Sequence, residues 1–188
     1  LVSAPQPLRD RLRGITFTTQ LSKAKRFPET LVGGTVVELE TRRALKELAR
    51  TIAFLDDQTE RLETRIGELT AEASPALMGL QGVGAHVAAQ LLAAVGDNPE
   101  RMGSEAAFAK LCGVCPVSAS SGKTSRHRLN RGGDRRANSA LFVIVLVRMR
   151  YDPATRAYVD RRTAEGKNRK EIMRCLKRFV AREVYHAI

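Results

Sequence analysis

The chain has 188 residues, 43% of them hydrophobic, which suits one domain or one domain plus an extension around a buried core. Residues 1–122 carry equal numbers of basic and acidic side chains, whereas residues 123–188 carry 18 basic and 6 acidic ones, the whole net charge of +12. This charge distribution predicts a polyanion as partner, and nucleic acid is the leading candidate. The lack of a long apolar stretch and the few aromatic residues argue against a membrane partner.

Residues 36–72 give the clearest structural signal, a predicted helix of about 35 residues. Its apolar residues alternate by three and four, the spacing of a coiled-coil seam, with one polar member. Such a stripe needs a partner. We expect another copy of the chain to supply it, and the alternative is a helical hairpin with residues 8–26. The seam consists of Leu45, Leu48, Ile52, Leu55, Thr59, Leu62, Ile66 and Leu69.

Before that helix, residues 1–34 are broken up by prolines and by Gly33-Gly34, with a short helix possible around Leu8 to Leu12. We interpret this segment as a linker or as the tail of a preceding domain. The predicted divisions are therefore 1–34, a coiled-coil helix 35–73, and a compact helical domain 74–188.

Residues 77–97 have the pattern of a helix-hairpin-helix element, since a Gly82-Val83-Gly84 turn separates two apolar helical stretches. A glycine turn at a helix N-terminus exposes backbone N–H groups that can hold a phosphate. We therefore predict Gly82 and Gly84 as nucleic-acid-binding residues. The alternative is a turn without a ligand.

Further helices are predicted by their capping residues. Ser104 and Asp134 are good N-caps, Asp152-Pro153 opens a helix that Gly166 closes, and a last helix runs from about 169 to 186. Residues 112–133 are expected to be irregular or a short hairpin, and no convincing alternating strands occur. The predicted fold is mainly α, a long coiled-coil helix followed by the compact helical domain.

The cysteines and histidines give weak signals. Cys112 and Cys115 form a lone CxxC without a second pair or histidines at ligand spacing, so we predict no metal site. An odd count of three cysteines offers no disulfide framework and favours a reducing cytoplasm.

The stretch ASSGKTSRHRLNRGGDRRAN, residues 119–138, joins a Ser-Ser-Gly to six basic side chains and one acid. Guanidinium groups beside a serine hydroxyl can bind a scissile phosphate and offset the charge of its transition state, and glycine allows close approach. Ser121 is thus a sensible nucleophile, with a solvated basic turn as the alternative reading. The spacing of a P-loop is not met.

Taken together, these motifs resemble the C-terminal transposase domain of insertion-sequence family one-ten, over roughly residues 74–188. The resemblance rests on Gly82-Val83-Gly84, on Gly113 to Pro116, on Ser121-Gly122, on Asn130 to Asp134, and on the basic closing helix. Gln81 stands where the family usually has proline, and Cys112 and Cys115 stand where it has small residues.

The resemblance implies a mechanism and partners. Members carry an N-terminal RuvC-like domain whose acidic residues bind Mg²⁺, and their serine forms a covalent phosphoserine link to DNA under the direction of a structured guide RNA. The family serine corresponds to Ser121, with Ser120 as runner-up. No acid cluster precedes residue 35, so we expect no cofactor in this part, Mg²⁺ in the domain that precedes it in the family, and no cleavage by these 188 residues alone.

The expected partners are double-stranded DNA, a structured guide RNA and a second copy of the chain through the coiled coil, in a bacterial, nucleoid-associated cytoplasmic setting. The alternatives are a non-catalytic nucleic-acid-binding and dimerisation module, and a basic RNA binder of ribosomal type. Besides the two glycines, the predicted nucleic-acid-binding residues are Lys123, Arg126, Arg128, Arg131, Arg135, Arg136, Lys170, Arg174, Lys177 and Arg178.

Overall fold

The structure, a computed structural model, describes residues 3–30, 34–97, 102–118, 127–128 and 130–188. The helices are α1 (Gln6–Leu12), α2 (Phe17–Lys25), α3 (Val36–Ala73), α4 (Pro75–Met78), α5 (Ala85–Val95), α6 (Glu105–Leu111), α7 (Arg135–Tyr151), α8 (Pro153–Ala164) and α9 (Arg169–Ala187). Two short strands, β1 (Val117–Ser118) and β2 (His127–Arg128), pair antiparallel. The prediction of a mainly α fold is confirmed. Residues 112–133, expected to be irregular or a short hairpin, contain the paired strands β1 and β2.

Capping side chains set the helix starts at the predicted places. Ser104 accepts a hydrogen bond from the Ala107 N–H, and Asp134 accepts one from the Ala137 N–H. Asp152 does the same for Thr155 ahead of Pro153, and this bonding lowers the pKa of the Asp152 carboxyl. Asn168 and Glu171 form a reciprocal capping box at the start of α9.

The chain divides into two compact units within α3, residues 1–62 and residues 63–188. In the first unit, α1 and α2 pack on the beginning of α3 around a small core of Leu8, Leu12, Phe27 and Ala49. The predicted boundaries at 34/35 and 73/74 remain predictions of domain organisation.

The leucine stripe of α3 is largely open beyond this small core. Leu45 is partly covered there, but Leu48, Leu55, Leu62 and Leu69 are 46–62% exposed. An amphipathic helix gains most of its stability from burying its apolar face. The residues 8–26 of the hairpin alternative therefore cover only the first turns of the stripe.

The second unit is built around α7, whose Ala140, Leu141 and Ile144 are fully buried. Helices α5 and α9 pack against it, and α6 closes the core with Phe108, whose ring lies 6.3 Å from that of Tyr185. Helix α7 is thus the central helix of this core. Within the described residues, no helix is long and apolar enough to cross a membrane.

Candidate nucleic-acid interface

The strand pair marks the base of the serine-containing stretch. Val117 pairs with Arg128 and Ser118 with His127, so the chain leaves and returns at neighbouring points. Residues 119–126, between the two strands, lie outside the part of the chain that the structure describes. They include the predicted site residues Ser120, Ser121, Lys123 and Arg126. Of Arg128 only the backbone is described, so its side-chain role stays a prediction.

A crossing of two backbone segments holds this base together. Gly113, with φ +65°, meets Gly133, where an added Cβ would lie 2.2 Å from the Gly113 nitrogen and 2.8 Å from the Leu111 carbonyl oxygen. The Asp134 N–H donates to the same Leu111 carbonyl at 2.6 Å. Only glycine fits at residue 133, because any side chain would collide with backbone atoms that cannot rotate away.

Asn130 forms a second tie across the base. Its Nδ2 donates to the Cys115 Sγ at 3.1 Å, while its Oδ1 accepts from the Gly132 N–H at 2.9 Å. Arg131, between these anchors, points to solvent as an exposed side chain. The segment from Asn130 to Asp134 thus presents one guanidinium beside the strand pair.

The two cysteines of the CxxC motif have structural surroundings. Cys112 is fully buried, and burial, followed by the nearby Asp134 charge, raises the pKa of its thiol to about 12. A protonated thiol is neither a good nucleophile nor a metal ligand. Cys115 instead accepts the Asn130 hydrogen bond, so both residues serve the loop base.

A polar chain connects that base to α7 and α9. Asn138 Nδ2 donates to the Cys112 carbonyl at 2.7 Å, and Lys177 Nζ donates to Asn138 Oδ1 at 2.6 Å. Lys177 also lies 5.4 Å from the centroid of the Phe142 ring. Burial lowers the pKa of Lys177 because the charged form is partly desolvated. Lys177 therefore has a structural tether as well as its predicted nucleic-acid role, and the partner Asn138 was missed from the sequence.

The remaining predicted cations lie on exposed helix surfaces. Arg135 and Arg136 occupy the first turn of α7, and Lys170, Arg174 and Arg178 recur every four residues along α9. Residues four apart share a helix face. Within the described part of the chain, none of these five has an acidic partner within ion-pair distance. Arg182 continues the α9 row, but its Nε donates to Glu105 at 2.8 Å.

The glycine turn lies between a one-turn helix and α5. Gly82 has φ +84°, and an added Cβ would meet the Ile144 carbonyl at 3.3 Å, so α7 packs tightly against it. Arg148 Nε donates to the Gln81 carbonyl at 2.8 Å, which fixes the turn to α7. Gly84 is the exposed N-cap of α5, with nothing within 4 Å of an added Cβ. The open space at Gly84 leaves room for a backbone-bound phosphate, whereas Gly82 is needed for packing.

Comparison with known proteins places these features in a family context. Residues 74–160 match the family described as Transposase IS116/IS110/IS902. The chain is 38% identical over 124 residues to a 43.6 kDa protein of insertion element IS110 from Streptomyces coelicolor, covering 64% of this chain and 30% of the relative. It is 31% identical over 144 residues to a 42 kDa protein of insertion element IS900 from Mycobacterium paratuberculosis, covering 71% and 36%.

The chain thus spans about a third of the length of these two relatives. The stretch that matches the family holds the Gly82-Val83-Gly84 turn, the Gly113–Gly133 crossing and the whole of α7. It also holds the strand pair, Asn130 and Asn138. Residues 74–160 are therefore similar to the family described as Transposase IS116/IS110/IS902, and the two relatives belong to insertion elements.

Proposed function

We propose that this chain is the nucleic-acid-binding, serine-bearing part of an insertion-sequence transposase that cleaves and exchanges DNA strands. The observation that carries the proposal is the loop base: the strand pair and the Gly113–Gly133 crossing hold both ends of the serine-containing segment. The Lys177–Asn138 tether fixes this base against α7 and α9, which bear the exposed cations. The family match over residues 74–160, which include the loop base, supports this proposal.

In the proposed reaction, the Oγ of Ser121 attacks a phosphodiester phosphorus. A P–Oγ bond forms, the bond from phosphorus to the leaving sugar oxygen breaks, and that oxygen takes up a proton. The serine proton passes to solvent or to a carboxylate of a complementing acidic domain. Exchange reverses the step with the sugar oxygen of another strand as nucleophile. Ser120 is the runner-up for the same role.

The chain's own residues would bind the DNA backbone. Arg131, Arg135, Arg136 and the row on α9 present guanidinium and ammonium groups without a pattern for reading bases, so they suit phosphates. If roughly six such contacts form, the logarithm of affinity falls with the logarithm of salt concentration at a slope of about −5 on duplex DNA.

Mg²⁺ does not fit the described residues of this chain, which contain no group of three His, Cys, Asp or Glu side chains able to hold it. The ion belongs, in this proposal, to the RuvC-like domain that family members carry. We accordingly expect the 188 residues alone to bind DNA without cleaving it. Mg²⁺-dependent strand transfer by the purified 188 residues would contradict that expectation.

Two partners complete the proposal, a structured guide RNA and a second copy of the chain. The second copy is supported by the exposed leucines of α3, which a coiled coil would cover. The alternative function, a binding and dimerisation module without chemistry, shares these partners and differs only at the serine.

A covalent-adduct assay separates the two functions. The chain is supplied with an acidic RuvC-like domain, in cis or by mixing, and incubated with end-labelled DNA. Denaturing electrophoresis should detect a protein–DNA adduct that Ser121→Ala abolishes, while Ser120→Ala and the control Ser118→Ala retain it. An adduct unaffected by Ser121→Ala, or none with any chain that still binds DNA, would exclude Ser121 as nucleophile.

A further inference from the structure

The first unit contains a helical hairpin with features of its own. Helices α1 and α2 are joined by four residues, 13–16, in which Gly14 has φ +74°. Thr16 is the N-cap of α2. Gln20 Nε2 on α2 donates a hydrogen bond to the Leu12 carbonyl at the end of α1, at 2.8 Å. A short glycine-containing turn between two helices is one feature that helix-turn-helix DNA-binding elements share.

A small hydrophobic core holds α1 and α2 in place against α3. Leu8, Leu12 and Phe27 are at most 5% exposed and pack with Ala24 and with Ala49 of α3. A helix held by a packed core presents its outer side chains in a fixed arrangement. The outward face of α2 is therefore a preformed surface.

That outward face has a distinctive composition. Thr18, Thr19 and Ser22 bring exposed hydroxyls to the surface, and Lys23, Lys25 and Arg26 follow as exposed cations. No acidic residue occurs between residues 11 and 28. Hydroxyls donate to phosphate oxygens and, being short, let a helix approach its ligand closely.

The charge of residues 3–30 is positive, although residues 1–122 as a whole are neutral. Residues 3–30 hold six basic and two acidic side chains, while residues 51–73 of α3 hold six acidic and two basic ones. One of the two early acids, Glu29, is engaged by Lys46 Nζ at 2.5 Å, which lowers the pKa of Glu29. A bound polyanion senses charge within about 8–10 Å at physiological salt. The α2 face is therefore locally positive.

We propose that α1 and α2 form a second nucleic-acid site, in which the outward face of α2 binds duplex DNA. B-form DNA has a major groove about 12 Å wide that admits a helix, whereas the major groove of A-form RNA is too narrow for side chains to read. The site goes beyond the proposed transposase function, because it needs neither Ser121 nor the cations of α7 and α9.

The test compares two variants of the 188-residue chain with the same loss of charge. Lys23→Gln/Lys25→Gln/Arg26→Gln alters the α2 face, and Arg50→Gln/Arg61→Gln/Arg65→Gln alters three exposed, ion-paired residues of α3. Fluorescence anisotropy with duplex DNA across a salt series should show the α2 variant binding about tenfold or more weakly. Its salt slope should be less steep by about 3, one unit for each lost phosphate contact.

The α3 variant should bind like the parent chain. Equal weakening by both variants would mean that only net charge matters, and an unaltered α2 variant would mean that α2 makes no contact; either result overturns the proposal. Loss of binding to an RNA hairpin but not to duplex DNA overturns it as well.

A third variant, Arg174→Gln/Arg178→Gln, separates this proposal from the proposed function. If it loses DNA binding while the α2 variant does not, only the α2 site fails. If the reverse holds, only the α9 surface fails.

Lysine acetylation of the unaltered chain gives a test that requires no substitution. Saturating duplex DNA should protect Lys23 and Lys25 from an amine-reactive reagent, while exposed Lys110 on α6 keeps reacting. Mass spectrometry reads the protection at each lysine. Unprotected Lys23 and Lys25 in the bound state would overturn the proposal even if the triple variant failed to fold.

Discussion

Helices α3 and α7 both carry apolar residues at helical spacing, yet they use them in opposite ways. In α7, Leu141 and Ile144 are fully buried by α5 and α9, whereas in α3, Leu55 and Leu62 are more than half exposed. The spacing predicts a helix and the face that must be covered. It does not say whether the residues that bury this face belong to the same chain. Only the packing in the structure shows that the apolar face of α7 is buried within the chain and that of α3 is exposed.

The largest loss of stability in the unit that contains α7 is expected from a substitution at the Gly113–Gly133 backbone crossing. Gly133→Ala would place a Cβ 2.2 Å from the Gly113 nitrogen, a clash with rigid backbone, so we expect a loss of about 5 kcal/mol in the free energy of unfolding. Gly132→Ala is the matched control, since its Cβ meets its nearest neighbour, Asn130 Oδ1, at 3.5 Å. Urea denaturation followed by circular dichroism measures both. Similar midpoints for the two variants would refute the crossing.

Replacing one leucine in each helix by alanine should have the second largest effect on stability, and a very different one in α7 than in α3. Leu141→Ala removes a fully buried side chain and should cost about 2–5 kcal/mol. Leu62→Ala, 62% exposed, should change the stability of the dilute chain by about 0.5 kcal/mol or less. Equal losses in urea denaturation at low protein concentration would show that the α3 stripe is already covered within one chain.

Self-association tests whether a second copy covers the stripe. Leu55→Ala/Leu62→Ala should weaken it at least about tenfold, because each buried leucine contributes about 1.5–3 kcal/mol. Phe54→Ala is the control, since Phe54 is 62% exposed but lies one position off the stripe. Sedimentation equilibrium measures the change. A control that weakens association as much as the double variant would argue against the predicted seam.

The smallest effect concerns the Cys112 thiol. Because its pKa is raised to about 12 from an ordinary value of 9, the thiol is protonated in both folded and unfolded chains at neutral pH. Its contribution to stability is present below pH 9 and is lost as the pH rises towards 12. At pH 8, alkylation followed by mass spectrometry should label half-buried Cys115 and Cys175 before Cys112. Labelling of Cys112 at an equal rate would contradict its burial.

Local signals allowed most helix starts to be predicted. Ser104, Asp134 and Asp152-Pro153 cap the helices they were expected to cap, because capping depends on residues three or four apart. The long helix predicted over 36–72 is observed as Val36–Ala73. These features depend on neighbours along the chain, which a sequence displays directly.

Contacts between distant residues could not be predicted in the same way. The Gly113–Gly133 crossing and the Lys177–Asn138 bond join residues 20 and 39 positions apart, and neither has a spacing rule. The basic hairpin of α1 and α2 was hidden for another reason: the acids of α3 cancel its charge when residues 1–122 are summed. The predicted serine role and the guide RNA remain predictions.

The contact between Ser74 and Ala187 has a consequence for protein engineering. Ser74 Oγ donates to the Ala187 carbonyl at 2.6 Å, so the beginning of α4 and the end of α9 are adjacent. Units whose ends meet tolerate circular permutation and insertion into a host loop, since a short linker joins them without strain. A circular permutant that joins residue 187 to residue 74 and opens new termini at the exposed turn around Gly166 should therefore keep the packing of α4 to α9.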